Sequence, residues 1–153
     1  MERKRSMTIL VQLITSFIAA AAFAVIFNAP RESLVKCGFV GMLGWIVYFL
    51  LSTRGMDIVP ATVAAAFLIA VVSQVYAKVY KAPVIIYIVA GIIPLVPGGM
   101  AYDSMRYFVT NDYNMAVSLA AKAFMVSGSI AMGIVLSEVI NQLLRQSRLK
   151  RIG

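Results

Sequence analysis

Prolines and glycines are concentrated at the end of one apolar stretch, residues 83–97, where the sequence reads Pro94-Leu95-Val96-Pro97-Gly98-Gly99. Within a helix, Pro94 has no amide to donate to the carbonyl of Ala90, and Pro97 has none for that of Ile93. The pattern therefore predicts two free carbonyl acceptors beside two flexible glycines. Inside a bilayer, such groups cost several kcal/mol each unless protein or water satisfies them, so the sequence predicts a functional break in a helix.

Polar side chains follow this break. Residues 100–109 can resume as a helix, and the amides at its first turn favour an anion such as a carboxylate. Discontinuous helices of this kind form the binding sites of secondary transporters. We predict a binding site for a small carboxylate-bearing metabolite at Pro94, Pro97, Gly98, Gly99, Tyr102 and Asp103. The alternative interpretation is a plain kink or an interfacial turn, with Asp103 and Arg106 forming only a surface pair.

Two carboxylates are candidates for coupling transport to an ion gradient, namely Asp103 and Glu138. A charged carboxylate within a span is costly, so it finds a partner or stays protonated. For Glu138 the alternative is a capping role or an interfacial ion pair with the basic residues of 145–151. For Asp103 the alternative is a favourable charge near a helix N-terminus.

Most catalytic and metal sites are excluded by residue types. The chain has no histidine and one cysteine, Cys37, so a tetrahedral zinc site, a Cys-His pair and a Ser-His-Asp triad cannot be formed. The P-loop pattern for ATP binding is also absent. We therefore expect no enzyme activity, no cofactor and no metal, and we expect Cys37 to be a buried, inert thiol.

The charge pattern indicates a membrane protein rather than a nucleic-acid binder. The net charge is +8, but seven of the 14 Lys and Arg residues lie at the two ends, in residues 3–5 and 145–151. Basic residues that flank apolar spans set membrane orientation and contact anionic lipid. We expect the bilayer, and no nucleic acid, as a partner.

Composition and hydropathy predict an all-α integral membrane protein. The chain is 61% hydrophobic and 13% charged over 153 residues, with a mean hydropathy of +0.89, far from the balance of a soluble domain. Five hydrophobic segments are predicted within a single transmembrane domain, 1–153: about 8–27, 34–51, 58–76, 83–109 and 115–144. The fourth is broken or re-entrant at Pro94-Pro97-Gly98-Gly99. An alternative for the first segment is a cleaved signal peptide.

Small residues recur at helical spacing in two segments, which favours close helix packing. The predicted packing positions are Gly38, Gly41 and Gly44 in the second segment and Ser129, Gly133 and Ser137 in the fifth.

The residues of the break, together with several turn positions, give the sequence a resemblance to the threonine/serine exporter (ThrE) family. The resemblance is to the split form, whose small subunit is of the YjjB type. The matching positions are Phe27-Asn28-Ala29-Pro30-Arg31, Gly41, Ala82-Pro83, and Ile93-Pro94-Leu95-Val96-Pro97-Gly98 followed by Tyr102. The resemblance implies export of threonine, serine or small dicarboxylates, and a second chain or domain supplying the other five-span half.

The first hypothesis is thus a multi-pass transporter subunit in the inner (plasma) membrane. It is expected to form a hetero-oligomer with that other half, and a homo-oligomer is also a candidate. A homo-oligomeric channel or holin-like pore is the alternative, and a non-transporting scaffold is the third. The orientation of the termini stays open at this point.

Overall fold

Left-handed backbone conformations mark four of the reversals between successive helices. The computed structural model describes residues 2–149, with side chains described for residues 7–146. In this part of the chain the positive φ angles are 56° at Asn28, 86° at Gly55, 52° at Lys81 and 63° at Asn111. Glycine and asparagine adopt this region at low cost. The reversals are short, and the polypeptide between them is helical.

Six α-helices and one 3-10 turn account for residues 2–149 apart from these reversals and the break, and this part of the chain has no strand. The bounds are α1 Glu2–Ile26, α2 Arg31–Thr53, α3 Ile58–Tyr80, α4 Val84–Ile92, a 3-10 turn Ile93–Leu95, α5 Gly98–Val109 and α6 Tyr113–Leu149. Four helices are long and apolar enough to cross a membrane, and a fifth span is formed if α4 and α5 count together. The predicted all-α membrane architecture is confirmed, including the break in the fourth segment.

Helix α2 lies at the centre of the bundle, against α1, α3 and α4. Its glycines Gly38, Gly41 and Gly44 are all buried. A Cβ at Gly38 would come within 2.6 Å of the Phe17 ring, while one at Gly41 would collide with the Cβ of Ala20. At Gly44 the added Cβ would meet the Ile69 side chain. Each of these positions therefore lets a neighbouring helix approach closely.

Helix α6 packs against α3 in parallel. Gly133 faces the backbone of Val63, Ser137 accepts a hydrogen bond from Gln74 at 3.3 Å, and Asn141 accepts one from Lys78 at 3.1 Å. Residue numbers thus rise together on the two helices. Ser129, Gly133 and Ser137 are all buried.

The parallel arrangement decides the path of the fourth segment. Helix α4 starts at the end of the bundle where α3 finishes, and α6 must start at the opposite end to run parallel to α3. The bent pair Val84–Leu95 and Gly98–Val109 therefore returns the chain from one end of the bundle to the other. This path agrees with a broken span, one of the two readings left open by the sequence.

The basic residues predicted to flank the spans at the two termini are only partly described. Those of residues 3–5 and 148–151 lie outside the described residues, whereas Arg145 is described and exposed.

Candidate functional site

The break in the fourth span is built by two prolines. Helix α4 ends at Ile92, a 3-10 turn covers Ile93–Leu95, and Val96 is extended with φ −62° and ψ 128°. Helix α5 starts at Gly98, directly after Pro97, and its axis is bent by 48° from the preceding helical segment. Since neither proline carries an amide hydrogen, the regular α-helical ladder cannot continue through this segment.

Hydrogen bonding inside the break corrects one expectation from the sequence. The carbonyl of Ile93 was expected to be free, but it accepts the amide of Val96 at 3.2 Å. The chain tightens into a 3-10 turn, so the amide three residues on replaces the one that Pro97 lacks. A second local bond joins the Gly98 amide to the Val96 carbonyl at 2.8 Å.

The first turn of α5 retains unused backbone donors. The Ala101 amide donates to the Pro97 carbonyl at 3.1 Å, which is the first bond of this helix. Within residues 2–149, the amides of Gly99 and Met100 donate to no backbone carbonyl in the turn that precedes them. Such amides carry the partial positive charge of a helix N-terminus and suit an anionic oxygen.

A cavity of about 200 Å³ opens at this break. We call it the break cavity, and its lining comes from four parts of the bundle: Trp45 and Tyr48 of α2, Ile58 and Thr62 of α3, Val126 of α6, and Pro94, Leu95, Val96, Pro97, Gly99 and Met100 of the break. Its volume far exceeds the roughly 10–15 Å³ that one water requires. The cavity can therefore hold a small solute.

The aromatic wall of this cavity escaped sequence analysis. Trp45 and Tyr48 lie close together, with ring centroids 5.3 Å apart, but in sequence they look like ordinary interfacial aromatic residues near the end of a span. Thr62 likewise looks like a helix residue whose hydroxyl bonds its own backbone, as it does to the Ile58 carbonyl at 2.7 Å. Only the packing of α2 and α3 against the break brings them together.

Trp45 also borders a second cavity. The Trp45 indole Nε1 donates to Gln12 Oε1 of α1 at 2.7 Å. A second cavity of about 200 Å³ lies on the α1 side, and Trp45 and Pro94 line both cavities. The polar residues Thr15 and Ser16 also line this second cavity.

Three of the six predicted binding residues lie outside the lining of the break cavity. Pro94, Pro97 and Gly99 line it, whereas Gly98, Tyr102 and Asp103 do not. Tyr102 is 70% exposed on α5. Asp103 pairs with Arg106 at 3.7 Å, and their side chains are 46% and 58% exposed.

Glu138 lies on α6, far along the chain from the break. Its Oε2 accepts a hydrogen bond from Gln74 of α3 at 3.2 Å, and its Oε1 accepts one from Gln142 at 3.3 Å. No cation among the described side chains lies within ion-pair distance of this carboxylate. Neutral amides, rather than the basic C-terminal residues that are described, thus surround Glu138.

Comparison with known proteins identifies the family. A family model described as "Threonine/Serine exporter, ThrE" matches residues 12–140. The chain belongs to the threonine/serine exporter family. No solved structure matches the chain.

Membership in the exporter family agrees with the architecture. The match starts within α1 and ends within α6, so it includes the break and every residue that lines the break cavity. An exporter is a membrane transporter rather than an enzyme, and the apolar helices of this chain are long enough to cross a membrane.

Proposed function

We propose that this protein is one half of an exporter of small amino acids of the threonine and serine type, and that the break cavity binds the solute. The observation that carries the proposal is the convergence, at one cavity, of a helix N-terminus with unused amides and an aromatic wall. Both features are recurrent means of binding charged solutes within a membrane protein.

Two parts of the cavity lining suit the two charges of an amino acid. The amides of Gly99 and Met100 favour a carboxylate, and the ring faces of Trp45 and Tyr48 favour an ammonium group. A small hydroxyl on the solute side chain can bond to the hydroxyl of Tyr48, which lines the same cavity.

A dicarboxylate fits this lining less well than an amino acid. The residues that line the break cavity include no Lys or Arg, so a second carboxylate would be taken out of water without a cationic partner, which is costly. We therefore propose a zwitterionic amino acid as the solute and place small dicarboxylates second.

A second five-span half would pack against an exposed apolar surface of α5 and α6. Helix α5 exposes Tyr102, Met105 and Val109, and Phe124 on α6 is 81% exposed. Large contiguous apolar surfaces of this kind mark contacts with protein or lipid. We propose that the other half of the exporter covers part of this surface in the inner membrane.

The test is counterflow of labelled threonine in proteoliposomes that contain this chain and its second half. Gly99→Val should abolish exchange, because Gly99 lines the break cavity and the valine adds bulk to that lining. A Cβ at Gly99 meets no atom within 4 Å, so the substitution displaces no neighbouring residue. Ala101→Val, an exposed position two residues along α5 and outside the cavity lining, is the matched control and should keep exchange.

Competition distinguishes the solute classes in the same assay. Excess unlabelled serine should inhibit labelled threonine exchange, and Trp45→Leu should weaken this inhibition more than Trp45→Phe does. Inhibition by succinate but not by serine would reject the amino-acid proposal. Uptake without any acceleration by internal solute would instead indicate a pore.

A further inference from the structure

A groove between α3 and α6 lies at the end of the bundle opposite the α2–α3 loop. It has a volume of about 450 Å³ and is lined by Lys78, Asn141, Leu144 and Arg145, which we call the basic groove. Asn141 and Arg145 are one helical turn apart, so both side chains project from the same face of α6. The groove shares no residue with the break cavity.

Neither cation of the basic groove has an ionic partner among the described side chains. The Lys78 ammonium donates to Asn141 Oδ1 at 3.1 Å, which holds it beside α6. Among the described side chains, no carboxylate lies within 4.0 Å of Lys78 or Arg145. Glu138, the carboxylate on the preceding turn of α6, has both oxygens occupied by the amides of Gln74 and Gln142.

Apolar side chains lie beside the polar lining of the basic groove. Val75 and Val79, on the turns of α3 next to Lys78, are exposed, and Leu144 forms part of the groove itself. Three further cations, Arg31, Lys36 and Lys81, belong to the same end of the bundle, because it holds the start of α2 and the end of α3. An anionic group with an apolar chain attached suits the two cations and the exposed valines beside them.

We propose that the basic groove binds the phosphate of an anionic phospholipid, with the acyl chains lying along the valines of α3. Lys78 and Arg145 supply the positive charge, and the Asn141 side-chain amide supplies further N–H donors. Basic pockets between helices at the cytoplasmic side of a membrane bind anionic headgroups in this way. Charge-assisted hydrogen bonds to phosphate are short and strong.

The test is a titration of the purified protein, in neutral detergent, with short-chain phosphatidylglycerol, with the Kd measured by native mass spectrometry. Lys78→Gln and Arg145→Gln should each weaken binding at least about tenfold, because a hydrogen bond to a charged group contributes about 1.5–3 kcal/mol. Asn141→Ala should weaken it by a smaller factor, since it removes the group that positions Lys78. Phosphatidylcholine of the same chain length should bind without dependence on these residues.

The matched control is Lys81→Gln, which removes an exposed charge at the same end of the bundle but outside the groove. This variant should keep the Kd for phosphatidylglycerol within about twofold. An equal loss in Lys81→Gln and Lys78→Gln would overturn the proposal, because it would show a diffuse surface charge rather than a site. Glycerol phosphate that competes as strongly as the lipid would also overturn it, in favour of a site for a free anion.

Discussion

Two glycines on α6 provide a direct test of how closely α3 and α6 are packed. A Cβ at Gly133 would lie 2.7 Å from the carbonyl oxygen of Val63 and 2.9 Å from the amide nitrogen of Phe67. Both neighbours are backbone atoms, which cannot turn aside as a flexible side chain can. A Cβ at Gly128, on the same helix, would meet no atom within 4 Å.

We predict opposite effects for Gly133→Ala and Gly128→Ala. Both gain helix propensity, about 0.8–1.0 kcal/mol relative to glycine. At Gly133 the two helices must also separate by about 0.7 Å to restore ordinary contact, and overpacking of this kind costs about 1–3 kcal/mol. Because the propensity gain is common to both variants, their free energies of unfolding should differ by about 1–3 kcal/mol, with Gly128→Ala the more stable.

The assay is thermal unfolding of the two purified variants in the same detergent. For a chain of this length the expected difference in Tm is about 2–12 °C. Equal Tm values for Gly133→Ala and Gly128→Ala would refute the packing of α6 against α3. A lower Tm for Gly128→Ala would refute it as well, since that site has room for the added methyl group.

Two further predictions concern coupling and orientation. Glu138→Gln should abolish proton-driven accumulation in vesicles while exchange persists, because glutamine cannot take up and release a proton, whereas its amide oxygen can still accept the hydrogen bond from Gln74. Asp103→Asn should leave accumulation and exchange within about twofold of the unsubstituted protein, since the exposed ion pair of Asp103 with Arg106 contributes little. Unchanged accumulation in both Glu138→Gln and Asp103→Asn would remove these carboxylates from coupling. Orientation can be tested in a Cys37→Ala background with an impermeant maleimide added outside cells. The reagent should label Arg54→Cys but not Lys81→Cys, because the end of the bundle that holds Lys81 has more basic residues and therefore faces the cytoplasm. The reverse labelling pattern would contradict this orientation.

Local sequence features predicted the helices and their interruptions. These features are the apolar runs, the prolines at 94 and 97, and the reversals at Asn28 and Gly55. Each determines the backbone conformation of its own segment. A proline lacks its amide hydrogen in any tertiary context, and glycine tolerates positive φ wherever it occurs. The all-α membrane fold and the position of the break therefore follow from the sequence by itself.

The composition of the site depended on contacts between distant parts of the chain. The distance in sequence from Trp45 to Pro94 or from Thr62 to Val126 gives no sign that these residues share a cavity, because that depends on how each helix is rotated and where the helices cross. For the same reason Asp103, adjacent to the break in sequence, lies outside the cavity lining. The rotation of α5 about its own axis turns Tyr102 outward.

The sequence determined that this chain forms apolar helices with one interrupted span. Backbone bond geometry and the free energy of transfer from water to lipid are both properties of each segment separately. The tertiary structure alone decided that α6 runs parallel to α3 and that aromatic residues of α2 form the wall of the break cavity. These features arise from the packing of side chains across helix interfaces, and such packing depends on the whole set of neighbours rather than on any one segment.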